Sequence, residues 1–172
     1  DDYMNVLVAC EESQRVCNAF REKGHNAFSC DILPCSGGHP EWHIQGDACT
    51  IANGRYYYRT QDENMHYIED RWDLIIVHPP CTRLCNSGQR WLYWGSEEYR
   101  QNKKKEQDDA IEFFMFWTKV DCPRIAIENP MGIMSSLYRK PDFTYNPSDF
   151  EGETECKKTG IWIIGDLQPL KP

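Results

Sequence analysis

No stretch of this sequence approaches the roughly 20 consecutive apolar residues needed to cross a bilayer, so a helical membrane span is excluded and no membrane partner is expected. No basic, apolar leader stands ahead of Val6, so a secretion signal is not expected either. Internal repeats, Pro- or Gly-rich linkers and low-complexity tracts are all missing, which excludes solenoids and tethered arrays. Positive charge is scarce: 19 Lys and Arg stand against 27 Asp and Glu, for a formal net charge of −8. Such a surface repels a phosphate backbone unless bases gather on one face. The first fifty residues hold eight acids and three bases. The later chain is closer to balance, with Lys103 to Lys105, Arg139-Lys140 and Lys157-Lys158 as candidates for a basic face. A disulfide framework is also missing. The nine cysteines are an odd, scattered count, which points to a reducing, cytoplasmic setting.

At 172 residues the chain has the length of one domain, 1–172, with material for a substantial core. Four tenths of it is hydrophobic and 13% aromatic, which argues against disorder. Asn5 to Ala9 reads as a buried parallel strand, apolar almost throughout. A helix is expected from Glu12 to Lys23, with Val16, Ala19 and Phe20 on its buried face and Gly24 ending it. Asn26 to Cys30 is a second strand, closed by Asp31. Strand, helix and strand in this order give a parallel pair with a right-handed crossover.

Leu33 to Gly46 reads as loop. Residues 47–70 are ambiguous between a helix and an irregular excursion around Tyr56-Tyr57-Tyr58. Leu74 to Val77 is a strand of four apolar residues, three of them β-branched. Pro79-Pro80 stop it, since proline fixes φ and supplies no donor. Cys81 follows at once. Thr82 to Ser96 reads as a long loop and Glu97 to Val120 as the main helix, buried through Ile111, Phe114, Met115 and Thr118. Arg124 to Ile127 is a further strand, ending in Glu128-Asn129-Pro130. Met131 to Tyr138 suits a short helix, Pro141 to Glu155 a polar loop, and Gly160 to Ile164 a last strand. The alternation defines an α/β chain with a mostly parallel central sheet and helices on both faces.

Three strand ends therefore carry polar groups: Asp31, Cys81 and Glu128. In a doubly wound sheet the carboxyl ends face one crevice, where ligands bind. Asp31 stands about 20 residues after the first turn, where an acid commonly takes a ribose hydroxyl pair.

These motifs, in this order, resemble the cytosine-5 DNA methyltransferase family. Pro79-Pro80-Cys81 looks like its Pro-Cys nucleophile motif and Glu128-Asn129 like its Glu-Asn base-binding motif. A compact phage-associated branch is closer still. It shares Ala9-Cys10-Glu11-Glu12-Ser13, His78-Pro79-Pro80-Cys81-Thr82, Ser87-Gly88, Arg90-Trp91, Glu128-Asn129-Pro130 and Lys157 to Trp162, so the resemblance runs from about Val6 to Leu170.

The resemblance implies a Rossmann-like S-adenosylmethionine-dependent fold that transfers a methyl group to carbon 5 of cytosine through a covalent Cys81 adduct. The catalytic set would be Cys81, Glu128 and Asn129. The cofactor set would be Ala9, Cys10, Glu11, Glu12, Ser13, Asp31, Ile32, Asp47, Ala48 and Pro79. Pro80, Thr82, Arg83, Ser87, Lys157 and Lys158 would meet substrate. The implied substrate is DNA, duplex or single-stranded, or a free cytosine nucleotide. Nothing corresponds to a separate target-recognition domain, so a second copy or a partner subunit would supply that reading. A thiol after the two prolines argues for carbon methylation, because adenine-modifying relatives carry an aromatic residue there.

The pattern also departs from the family. The first-strand turn has no glycine, and proline follows Glu128-Asn129 where the family has valine. Two other readings stand beside the enzyme: a catalytically silent nucleic-acid or protein-binding module on the same fold, and a metal site. The second would draw on Cys30, Cys35, His39, His43 and Cys49, which lie within twenty residues. Their spacing matches no standard zinc pair, and the expected resident metal is none.

Overall fold

A computed structural model of the chain describes residues 3–85, 89, 92–150, 152 and 157–168. Ser87, Gly88 and Arg90-Trp91, singled out above, lie outside the described residues. One seven-stranded sheet has the order β3-β2-β1-β6-β7-β9-β8. Its strands are β1 (Asn5–Ala9), β2 (Asn26–Asp31), β3 (His43–Gln45), β6 (Leu74–Val77), β7 (Arg124–Pro130), β8 (Phe143–Tyr145) and β9 (Thr159–Gly165). β4 (Tyr56–Arg59) and β5 (Met65–Ile68) form a separate antiparallel ribbon. The helices are α1 (Arg15–Glu22), α2 (Glu97–Trp117) and α3 (Met134–Leu137). The fold is α/β, with a mostly parallel sheet flanked by helices.

The chain divides into two compact units. The first holds the residues up to His78, with Lys119–Ala126 and Ile164–Leu167. In it β1 pairs in parallel with β2 on one side and β6 on the other, and β2 pairs in parallel with β3. Val6, Leu7, Val8 and Ala9 are fully buried, as a strand covered on both faces requires. Trp72 is fully buried, donates from its indole to the Ile51 carbonyl at 2.7 Å and stacks on Tyr58.

α1 starts three residues later than the sequence suggests, because Gln14 sits in the left-handed region at φ 59°. Its side chain binds Ser29 Oγ at 3.1 Å and both backbone groups of His39. Ala19 is exposed and Cys17 is the fully buried member of the helix face, flanked by Val16 and Phe20. The 33–46 stretch, expected to be loop, contributes β3, because Ser29, Cys30 and Asp31 on β2 offer a free edge to pair with. The ambiguous 47–70 stretch resolves into a 3-10 turn and the β4–β5 ribbon.

The second unit comprises Pro79–Thr118, Ile127–Ile163 and the chain from Gln168. Its core includes Leu84, Phe114, Trp117, Ile127, Met134 and Trp162. Phe114 meets Trp162 edge-on at 5.2 Å. Ser96 caps α2 by accepting from Tyr99 N, as an N-cap serine should. Of the expected α2 stripe Phe114 is buried, joined by Gln107 and Trp117, while Ile111, Met115 and Thr118 are only half-buried. β8 occupies part of the expected 141–155 loop, paired antiparallel with β9. β7 runs on through Glu128-Asn129-Pro130 instead of ending before them, and its burial alternates along all seven residues.

Candidate functional site

In the first unit, the turn after β1 and the ends of β2 and β3 bring together most of the residues expected to hold a cofactor. Cys10 lacks the glycine freedom usual in such a turn, yet adopts φ 62°, a left-handed conformation that non-glycine residues seldom take. Burial pushes its thiol up to about 12, helped by Asp31, Cys49 and Asp47. The same three residues, together with Cys10, raise the buried Cys30 thiol after burial itself. Burial, followed by Asp47, lifts Cys49 to about 11. These mutual effects put Cys10, Asp31, Asp47 and Cys49 around one acidic locus. Asp31 Oδ1 accepts from Leu33 N at 2.9 Å, and Asp47 Oδ1 from Cys49 N at 2.9 Å. Both turns hold the carboxylates at fixed angles. Beside them, Ile32 is 74% exposed, and a Cβ on Gly46 would meet nothing within 4 Å. Ala48 is buried at the start of the 3-10 turn.

Two carboxylate acceptors, an open glycine and an exposed isoleucine suit ribose hydroxyls, an exocyclic amine and a flat heterocycle. Asp31, Ile32, Asp47 and Ala48 are the residues that would hold the S-adenosylmethionine the resemblance implies. The three residues after Cys10 behave differently. Glu11 is buried and spends its carboxylate on α1, accepting from Val16 N at 2.6 Å and Cys17 N at 3.2 Å. It serves as a helix cap from outside the helix. Glu12 takes the Ser36 hydroxyl. Ser13 presents its carbonyl to Gly37, where a Cβ would stand 2.4 Å away. The Glu11 and Glu12 side chains and the Ser13 backbone order the turn.

Both histidines of the metal reading are engaged by other groups. His43 is fully buried, with Nδ1 on Ser29 Oγ at 2.8 Å and Nε2 on the Leu33 carbonyl at 2.9 Å. His39 stacks on Trp42 and bonds Glu41. Among the described residues no group of three His, Cys, Asp or Glu side chains is arranged to hold an ion.

In the second unit, Cys81 opens one helical turn: Leu84 N and Cys85 N both donate to its carbonyl, at 2.9 and 3.0 Å. The segment after Glu128 fastens this turn at three points. Asn129 is 1% exposed and donates from Nδ2 to the Pro79 carbonyl at 2.8 Å. Cys85 and Gly132 form a β-bridge. Ile133 N donates to the Leu84 carbonyl at 2.9 Å. The two motifs thus lie side by side. Glu128 and Asn129 project to opposite faces of β7, Glu128 half-buried and Asn129 fully so. Pro79 is buried; Pro80 and Thr82 are exposed.

Cys81 is half-buried, and its thiol lies above the ordinary cysteine value. Burial is the largest cause, Cys85 adds to it, and Lys157 pulls the other way. The Lys157 cation therefore lies near the sulfur. Lys158 accepts from Met131 N at 2.9 Å through its carbonyl. Arg83, expected to meet a phosphate, has its Nε paired with Glu106 on α2 at 2.7 Å. Sequence reasoning missed α2's part here. Gln107, 7% exposed, donates to the Arg83 carbonyl at 3.2 Å and to Gln89 Oε1 at 3.1 Å. A glutamine in register with Phe114 and Trp117 was the available signal.

No family model matches the chain, and no curated protein sequence matches it. Among solved structures, it is similar to a candidate DNA modification methyltransferase encoded within a prophage of E. coli, with 16% identity and a TM-score of 0.48. The match covers 93% of this chain and 46% of that one. This chain thus spans less than half the length of that relative. No helix among the described residues is long and apolar enough to cross a membrane.

Proposed function

We propose that the chain transfers a methyl group from S-adenosylmethionine to carbon 5 of cytosine, with DNA as the substrate class. The observation that carries the reading is the Asn129–Pro79 hydrogen bond, which ties the Glu-Asn strand to the Pro-Pro-Cys turn. Two motifs that stand 46 positions apart, from 82 to 128, are thereby held at one place, as a covalent pyrimidine mechanism needs.

Bound S-adenosylmethionine supplies an electrophilic methyl group on a sulfonium. Asp31 would hold its ribose hydroxyls and Asp47 its adenine amine, with Ile32 beside the ring. The Cys81 thiolate adds to carbon 6 of cytosine, and the ring's electron pair moves to carbon 5. Glu128 hydrogen-bonds ring nitrogen 3 and the exocyclic amine, steadying charge as electrons enter the ring. The pair on carbon 5 would take the methyl group, the cofactor sulfur leaving as a neutral thioether; the carbon 5 proton then passes to water, and the returning pair expels Cys81 as its thiolate. Asn129 acts through position, fixing the Pro79 carbonyl and hence the direction of the turn. Lys157 holds positive charge near the sulfur and favours its thiolate form.

The reading is tested by methyl transfer from labelled S-adenosylmethionine to duplex DNA, single strands and dCMP, with 5-fluorocytosine DNA to trap the adduct. A stable adduct on the peptide carrying Cys81, lost in Cys81→Ala, is expected. No heat of cofactor binding and no transfer to any substrate would overturn it. A silent binding module on the same fold is the second reading, favoured by the raised Cys81 thiol. It predicts cofactor-independent DNA binding without adduct.

A further inference from the structure

A cleft of the first unit lies away from the acidic locus, beside the start of β2 rather than its end. Its volume is about 490 Å³, within the usual range of small-molecule sites. Tyr3, Asn18, Arg21, Glu22, His39 and Trp42 are among its walls. Two features of these walls are unfinished. Arg21 is half-buried, its Nε donates to the Ala27 carbonyl at 2.7 Å, and its guanidinium lies 4.9 Å from the Phe28 and Trp42 ring centres. Among the described residues no carboxylate lies within ion-pair distance of it, Glu41 acting on its charge only from further off, so its two terminal amino groups keep their donors for a ligand. A half-buried charge in that condition calls for an anion.

Asn18 stands one turn before Arg21 on α1, on the same face. Its Oδ1 is buried and accepts no hydrogen bond. A buried acceptor of this kind calls for an N–H donor. The stacked His39–Trp42 pair, 3.9 Å apart, and Tyr3 add aromatic walls.

We propose that this cleft binds a nucleoside monophosphate, with the phosphate on Arg21, a base N–H on Asn18 Oδ1 and the base against the aromatic wall. Glu22 at the same wall opposes a polyanion and limits the ligand to a single nucleotide rather than a DNA backbone. The site stands independently of the methyltransferase reading, since none of its residues belongs to the acidic locus or to the Cys81 turn.

The test is calorimetric titration of the whole chain with AMP, GMP, CMP and UMP, guanosine and inorganic phosphate. Amide hydrogen exchange locates the site. At least one nucleotide should bind with a Kd at or below roughly 1 mM and slow exchange over residues 18–26. Guanosine and phosphate should each bind more weakly than GMP. Arg21→Met should weaken nucleotide binding at least about tenfold. Asn18→Leu, which removes an orphaned acceptor and so threatens the fold less, should weaken it several-fold. Asp31→Ala should leave it unchanged while weakening S-adenosylmethionine binding. The proposal is overturned by no heat with any of the four nucleotides, by protection elsewhere in the chain, or by wild-type affinity in both Asn18→Leu and Arg21→Met.

Discussion

Gly132→Ala is the sharpest perturbation of the Cys81 turn, because it changes one methyl group at a site with no room for it. Gly132 is not in the left-handed region, so the objection to alanine is space alone. The added Cβ would stand 1.8 Å from the Leu84 carbonyl oxygen, 2.7 Å from its carbonyl carbon and 2.8 Å from Cys85 Cα. All three are backbone atoms, so no side chain can swing aside. The gap must widen from 1.8 Å to at least 3.0 Å, which pulls apart the Cys85–Gly132 bridge and the bond from Ile133 N to the Leu84 carbonyl. Overpacking of this kind costs ~1–3 kcal/mol, and a lost backbone hydrogen bond adds ~1 kcal/mol. The sum is about 3 kcal/mol, or a fall of ~6–12 °C in Tm for a chain of this size. Calorimetric melting reads the first quantity. Iodoacetamide labelling of the Cys81 peptide under native conditions reads the second, and its rate should change with the displaced turn. Gly46→Ala is the control, since its Cβ meets open space. A Gly132→Ala protein with the wild-type Tm and labelling rate would refute the reasoning.

Two further outcomes follow from the site. The Cys81 thiol is held above the ordinary cysteine value, so less of it is thiolate near neutral pH than in a free cysteine. Its alkylation, and any methyl transfer, should climb with pH through and beyond the ordinary thiol range rather than level off below it. Lys157→Ala should move that rise to still higher pH, and a profile that levels off near neutrality in both proteins would contradict the assignment. Glu11→Ala removes both carboxylate acceptors at the start of α1 and should cost about 1–2 kcal/mol. Denaturant melts check this, and an unchanged midpoint would show that the turn is ordered by other groups.

How much of this was legible in advance differs by residue. β1 and β6 were readable because each is an apolar run that local pattern alone marks as buried, and β2 because it follows the helix that Gly24 ends. The main helix was readable from Glu97 by its length and its apolar positions, although it ends at Trp117 rather than Val120. β3 and β8 were not, because three-residue strands such as His43–Gln45 and Phe143–Tyr145 carry no period of their own. They exist because a neighbouring strand offers unpaired backbone groups. The late start of α1 was equally hidden. Gln14 leaves the helix for contacts with Ser29 and His39, which lie 15 and 25 positions away.

By itself the sequence determined the alternation of strand and helix, the acid that closes β2, and the rigid Pro-Pro-Cys exit from β6. Those are local properties, set by side-chain volume, proline's fixed dihedral and hydrophobic period. Only the tertiary structure decided which polar groups remain for a ligand. Glu11 and Arg83 look like site residues in one dimension, yet in three they are engaged by α1 and by Glu106. Arg21 and Asn18, which look like ordinary helix surface, hold unused hydrogen-bonding capacity in a cleft. A hydrogen bond is made with whatever the fold brings within about 3 Å, and sequence distance says nothing about that.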